Sequence, residues 1–544
     1  MDYSWQSLWN KGVGILTSVS TMLLQKHHDA NTDRKQLTLR AVSVLVGSYI
    51  LWKIVLPRRS RRRSDIKMVS GGLPYLGHLL ELTRDPIAFI NRCKEENGPA
   101  FRIYLNGQDV TVLTGPLIRD MLRKPRWFSF EMGIQSIVPI NRALKVSYDH
   151  KFKGEVLSSR DKDPIIYPIK HNFKPDQLGV FSERIQIAVN KMLNERLNLH
   201  PGEKRALPVW DILAVTVSQI SCLCFCGSRV GYNQELVEAM ANFTRNVIRT
   251  GLALSVLPGW VANFVIKRYL SVESQLDLTM DLLVPEMEKM RSREINQDDE
   301  TTYLAMVLNL PKANGHLRTP KEAAFHFKNV VLASIHTTTH FTSFALHELA
   351  CRPALVADLR TRIEKLDEIT PETVGDIRLL DSLLREVLRY DVHVLGMNHM
   401  VKEDVALSTG QVIPQGELVL GAMLDTHTDP EMMTETVRLG SSTSLNQFDA
   451  YRFMHVDNAD GDGMRSSTIG SEFLTFGLFA HACPGRYFAV NEIKYLLAEL
   501  IMRYEITTHS GLRAKDFLMR GMTRFPPSEP LVFEGRKSTT NRMY

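Results

Sequence analysis

Cys483 sits in the run Phe476-Gly477-Leu478-Phe479-Ala480-His481-Ala482-Cys483-Pro484-Gly485-Arg486, just ahead of a segment with helical periodicity. In that segment Ile493, Leu496, Leu497, Leu500 and Ile501 follow the i, i+3, i+4, i+7, i+8 pattern of an amphipathic helix. A thiol at such a helix start meets unpaired backbone N–H groups and the positive end of the helix dipole, and both favour the thiolate. A thiolate is a strong axial donor to haem iron, where it pushes electron density that helps cleave an O–O bond. The competing reading is a buried core cysteine that happens to open a helix.

Three other groups of residues could do chemistry. Ala333-Ser334-Ile335-His336-Thr337-Thr338-Thr339 places a histidine beside three threonines. The unperturbed pKa of a histidine lies near neutrality, so His336 can pass protons. Threonine hydroxyls compete for backbone carbonyls, so the run predicts a helix opened at its centre; threonines bonded back to their own helix are the alternative. Glu386 and Arg389 share a helix face at i, i+3, a spacing that more often marks a solvated surface pair. Cys222, Cys224 and Cys226 invite a metal reading. Their neighbours Ile220, Leu223 and Phe225 are apolar and no zinc-finger partner follows, so a buried structural cluster is expected.

These residues need long elements to hold them. Thr319-Pro320-Lys321-Glu322 is a capping box with proline at the first helical position. It predicts a helix running to about Ala350, before Arg352-Pro353 closes it. Some thirty residues would reach ~45 Å, enough to cross a domain. The 544 residues show no internal repeat and no Gly/Ser-rich or Pro-rich linker after the first seventy. With 44% hydrophobic and 23% charged residues, they read as one large, mostly helical domain behind an N-terminal appendage. Six cysteines are too few for a disulfide framework.

Residues 41–56 are almost wholly apolar and end at Pro57, ahead of Arg58, Arg59, Arg61, Arg62 and Arg63. Sixteen helical residues reach only ~24 Å, so a spanning helix must borrow Thr38 and Leu39 or sit in a thinned bilayer. The arginines fix the orientation and put everything after them in the cytosol. Residues 13–24 are too short to span and read as interfacial. Residues 1–63 are thus expected to be a membrane anchor, and residues 64–544 the catalytic domain. A net charge of +6 without basic–aromatic patterning excludes nucleic acid as a partner.

The Cys483 segment resembles the haem-binding loop of the cytochrome P450 superfamily, Phe-x-x-Gly-x-(Arg/His)-x-Cys-x-Gly. Phe476, His481, Cys483 and Gly485 match, and Pro484 and Arg486 fit the longer common form. Phe479 stands where the family has glycine. Glu386-x-x-Arg389, together with Arg452 in Phe448-Asp449-Ala450-Tyr451-Arg452-Phe453, is similar to the family's Glu–Arg–Arg network. Residues 410–416 and 427–430 resemble the strand turn and loop between them. Around Thr337 the long helix is similar to (Ala/Gly)-Gly-x-(Asp/Glu)-Thr, with Ser334 and His336 replacing the glycine and the acid, as fungal members often do.

Over roughly residues 70–535 the resemblance implies a triangular fold, mainly α with a small β side. Haem b would lie between the long helix and the loop, with Cys483 as axial ligand to the iron. Phe476, His481, Gly485 and Arg486 would bind the cofactor from that loop, and His399 would replace a propionate-binding arginine. Lys170 or His171 would stand in for a Trp-x-x-x-Arg that is absent. Thr337 and His336 would be catalytic, and the pocket would lie near Val394, Leu395, Met397 and Gly521-Met522-Thr523. Electrons would come from NADPH through NADPH–cytochrome P450 reductase at the endoplasmic reticulum membrane. The implied activity is monooxygenation of a lipophilic small molecule, a terpenoid or steroid of fungal secondary metabolism. A haem-thiolate isomerase or dehydratase without a reductase, and a non-catalytic haem-binding protein, are the rivals.

Overall fold

The computed structural model describes residues 64–537 except 74–75, 106, 138–165, 257–258, 271, 293–300, 313, 435–436, 438–440 and 455–463. The chain divides into two units, Met1–Val55 and Leu56–Tyr544, and the described residues all belong to the second. The expected membrane segments and the arginine run lie outside the described residues.

Five helices position the site: α1 (Ile166–Asn172), α2 (Val209–Cys226), α3 (Pro320–Ala350), α4 (Arg378–Tyr390) and α5 (Arg486–Arg503). Helix α3 starts where its capping box predicts. The Thr319 hydroxyl accepts from Glu322 N (3.2 Å), and the Glu322 carboxylate accepts from Thr319 N (2.7 Å). It runs unbroken for 31 residues. The expected opening at the threonines is absent: Thr337 bonds back to Ala333 O (2.7 Å), Thr338 donates across to Glu492 (2.9 Å), and the helix continues through all three.

Helix α5 is not amphipathic in the sense expected. It is buried around nearly its whole circumference, and most of its polar side chains find internal partners, one oxygen of Glu492 remaining unpartnered. Lys494 Nζ pairs with Asp381 (2.8 Å), Arg503 with Glu499 (2.8 Å), and Glu492 accepts from Thr338 (2.9 Å). Helix α2 is the one helix among the described residues long and apolar enough to cross a membrane, yet it packs in the helical core. Its Cys222, Cys224 and Cys226 are buried thiols that form no disulfide. Cys226 Sγ donates to Cys222 O at 2.9 Å, a contact within the helix, and the apolar burial around the cluster is that expected of core cysteines.

The β side is a five-stranded sheet of order β1-β2-β5-β4-β3, with β1 Ala100–Leu105, β2 Gln108–Leu113, β3 Phe128–Ser129, β4 Leu395–Val401 and β5 Leu418–Ala422. Only β2 and β5 run parallel. Apolar side chains form one large helical core around α2, α3 and α5 and a second under this sheet. A hairpin of β6 (Phe517–Met519) and β7 (Thr523–Phe525) follows near the C-terminal end. Its turn reaches the start of β4, where Met522 O accepts from Val394 N (2.9 Å) and Leu395 N (3.3 Å).

Candidate active site

The loop before α5 is wound tightly around its cysteine. Cys483 N donates to Phe476 O at 2.6 Å, and Gly477 N to Leu474 O at 2.8 Å. Gly477 adopts φ +68°, and a Cβ there would lie 2.3 Å from His481 O, so only glycine fits. Phe479 takes the position of the family's usual glycine with φ +54° inside the short 3-10 turn Phe479–His481. Its ring is exposed and lies under the Arg123 guanidinium, 5.1 Å away. Phe476 is partly buried against Phe473, with ring centroids 6.3 Å apart.

Burial pushes the Cys483 thiol above its ordinary range, while the N–H groups of Gly485 and Arg486 and the Arg486 guanidinium pull it down. Desolvation therefore works against the pull of the helix start on this sulfur. A bound cation is what holds such a sulfur deprotonated. Arg486 itself faces back to the loop, donating to Cys483 O (3.0 Å), Ser467 O (3.2 Å) and the Tyr487 hydroxyl (2.7 Å).

His399 and His481 come from different parts of the chain and meet. Their ring centroids are 4.7 Å apart at 88°, and Nε2 of each is buried without a hydrogen-bond partner. Strand β4 carries His399 into place through an irregularity between Gly396 and His399, with its Nδ1 on Met397 O at 2.6 Å. Burial pushes the His399 ring down to about 4, against the opposing pull of the Met397 carbonyl. A carboxylate at Nε2 would restore the charged ring, with a donor on each nitrogen. Haem brings two carboxylates and an iron. Two orphaned imidazoles and a free thiol are the donor set such a group needs, and these residues fit it.

Helix α1 packs beside the cysteine loop, Ile169 Cγ2 lying 3.8 Å from where a Cβ of Gly485 would sit. Lys170 and His171 on it are both exposed. Tyr167 on the same helix brings its ring to 4.2 Å from that of His171, edge-on, a contact not anticipated from the sequence. The i, i+4 spacing of Tyr167 and His171 was the available signal.

Glu386, Arg389 and Arg452 form a fully buried network. Arg389 grips the Glu386 carboxylate with Nε–Oε2 at 2.7 Å and Nη2–Oε1 at 2.8 Å, and Arg452 Nε reaches Oε1 at 3.2 Å. The remaining guanidinium donors go to backbone carbonyls, among them His427, Leu445, Thr443 and Ser444. His427 ties this network to the cysteine loop: Nδ1 bonds Arg389 O (3.0 Å), and Nε2 accepts from Leu474 N (2.7 Å). The surface-pair reading of Glu386 and Arg389 is thereby excluded.

On α3, Ala333 and Thr337 are exposed while Ile335, Thr338 and Thr339 are buried. This stripe lies mid-way along a helix whose later turns are almost wholly buried. Thr337 Oγ1 donates to Ala333 O at 2.7 Å. His336 turns away, between Trp210 (5.3 Å) and Phe525 (6.1 Å).

A long helix crossing a mostly α fold, above a cysteine loop that opens a buried helix, defines a haem-thiolate protein. The cytochrome P450 family model matches residues 69–532, so the chain belongs to the cytochrome P450 family of monooxygenases. It is 24% identical over 95% of its length to cytochrome P450 monooxygenase AN1598 of Emericella nidulans, covering 96% of that protein. It is 28% identical over 63% of its length to cytochrome P450 monooxygenase ntnM of a Nectria species, covering 66% of it. The solved structure of retinoic acid bound cyanobacterial CYP120A1 matches with a TM-score of 0.63 and 21% identity, over 87% of this chain and 99% of that one. That likeness is one of fold.

Proposed function

We propose that the chain is a membrane-anchored monooxygenase that holds haem b through Cys483 and oxidises a lipophilic small molecule, a terpenoid or steroid of fungal secondary metabolism. Residues 1–63 act as the anchor in the endoplasmic reticulum, and residues 64–544 face the cytosol. Electrons come from NADPH through NADPH–cytochrome P450 reductase. The observation that carries the reading is the convergence of His399 Nε2 and His481 Nε2, both orphaned, beside the loop that winds Cys483 into a helix start. The haem, once bound, supplies the dioxygen chemistry. The protein supplies the sulfur from Cys483, propionate contacts from His399 and His481, and loop geometry from Phe476, Gly485 and Arg486. Val394, Leu395, Met397 and the 521–523 turn, gathered by the Met522 carbonyl, offer an apolar lining. Thr337 keeps its hydroxyl on the open stripe and can hold a water there without bringing a charge into an apolar pocket.

Full-length protein in microsomes should give the red-shifted ferrous–CO band of a thiolate ligand, and Cys483→Ala should abolish it. A terpenoid and steroid panel should contain a compound that shifts the iron spin state. With that compound, Thr337→Ala should keep binding but divert NADPH into hydrogen peroxide. Turnover without NADPH, and no peroxide from the variant, would favour an isomerase instead.

A further inference from the structure

Glu348 on α3 and Asp391, which directly follows α4, are completely buried acids. One guanidinium reaches both. Arg513 donates from Nε to the Glu348 carboxylate and from Nη2 to Asp391 Oδ1 at 3.0 Å. Its Nη1 lies 2.8 Å from Asp516 Oδ1, on its own segment just ahead of β6. Arg352 holds the other oxygen of Glu348. From β7, Arg524 Nη1 donates to Tyr390 O at 2.7 Å and lies 3.7 Å from Asp391 Oδ1. Across the hairpin, Arg524 Nε lies 3.7 Å from Asp516 Oδ2, so the cluster reaches both strands. Burial pushes Glu348 and Asp391 up, the Glu348 charge adding to it at Asp391, and Arg513 pulls both back down.

The turn of the same hairpin is strained. Arg520 takes φ +55° and Gly521 φ +66°. A Cβ on Gly521 would lie 2.8 Å from the backbone of Leu82 and Thr83, so the turn is pressed onto the short helix Leu79–Arg84. On β4, Met397 also holds a left-handed backbone, at φ +50°. Such a backbone is costly for a residue with a side chain and persists only where its surroundings hold it. Buried ion pairs add little net stability, because desolvation offsets their attraction; what they can fix is one arrangement among several.

Resting on the monooxygenase reading, we propose that Arg513 is a positioning residue for the pocket wall. By joining Glu348, Asp391 and Asp516 it fixes the 521–523 turn against Val394 and Leu395, and so sets the size of molecule admitted above the haem. Asp391 stands three residues before Val394. One cation therefore registers both sides of the contact that Met522 O makes with Val394 N and Leu395 N. Removing the guanidinium lets Arg520 and Gly521 relax, and the wall moves without any change at the cysteine loop.

The test titrates full-length, haem-loaded protein in microsomes with two azoles and reads each affinity from the shift of the haem band. Imidazole reports the iron alone; clotrimazole, an imidazole bearing three aromatic rings, also reports the wall. Arg513→Gln should leave imidazole affinity within about twofold and move the clotrimazole-to-imidazole ratio by about fivefold or more. Arg513→Lys keeps the cation but not the fork and should fall between. The glutamine variant can fold, because Glu348 and Asp391 are already pushed toward the neutral form and can take protons when the cation leaves. If it loads no haem, Asp516→Asn, at the partly exposed end of the cluster, carries the test with a smaller change of the same sign. Val217→Ala, a cavity in the helical core, is the control: it should lower the melting temperature and leave the ratio alone. An unchanged ratio in the haem-loaded variants, or one that Val217→Ala moves equally, would overturn the positioning role. A wild-type protein in which neither azole shifts the haem band overturns the haem-thiolate reading itself, and the proposal with it.

Discussion

His399 and His481 bring their rings to 4.7 Å, nearly perpendicular, and each leaves Nε2 buried and unbonded. Two buried polar groups orphaned side by side call for a partner, and the propionates of a bound haem would supply one to each. A hydrogen bond to a charged group contributes about 1.5–3 kcal/mol, or roughly 10–150-fold in affinity. His399→Leu and His481→Leu should each speed haem transfer to apomyoglobin by about that factor. His399→Arg should restore retention, because a guanidinium is a permanent donor. Unaltered transfer rates in both leucine variants would remove these residues from the cofactor site.

Glu386 balances two buried guanidinium groups, so its removal leaves Arg389 and Arg452 uncompensated. Breaking such a pair costs about 3–5 kcal/mol. Glu386→Ala should therefore yield little haem-loaded protein, and what remains should melt well below wild type. Normal haem content with lost turnover would place the glutamate in the chemistry.

Phe479 holds a left-handed backbone that costs a non-glycine residue roughly 1–2 kcal/mol. Its contact with Arg123 returns only about 0.5–1 kcal/mol at an exposed site. Phe479→Gly should leave the ferrous–CO band in place and raise the unfolding midpoint slightly. A fall of more than about 1 kcal/mol would show that the ring does more than cover the loop.

Buried histidines set the acid limit of stability. Burial holds His326 and His347 down at about 4, and His427 at about 3 with Arg389 and Arg385 adding to it. Between those values and the ordinary 6.5, the unfolded chain binds protons that the fold refuses. Stability is therefore complete above about pH 6.5 and falls toward pH 4, by on the order of 1 kcal/mol per pH unit for each ring. Thermal melts of the holoprotein at stepped pH should show this slope, and His427→Gln should flatten it. A melting temperature independent of pH across that window would contradict it.

Local sequence determined the elements that rest on short-range rules. The capping box at Thr319 and the proline after Arg352 bounded α3 correctly, because caps and breakers act within a few residues. The Cys483 loop, with its family signature, and the apolar setting of Cys222, Cys224 and Cys226 were legible for the same reason. Tertiary structure decided what depends on burial. It set burial against the helix start at Cys483, since desolvation is set by everything packed around the sulfur and not by the helix start alone. It wrapped α5 on all sides, which periodicity cannot reveal when Lys494 and Glu499 find internal partners. It also brought His399 to His481 and His393 to His340, pairs separated in sequence that only the sheet and hairpin place side by side. Spacing along a chain fixes which residues share a helix face; which faces meet is a property of the packed whole.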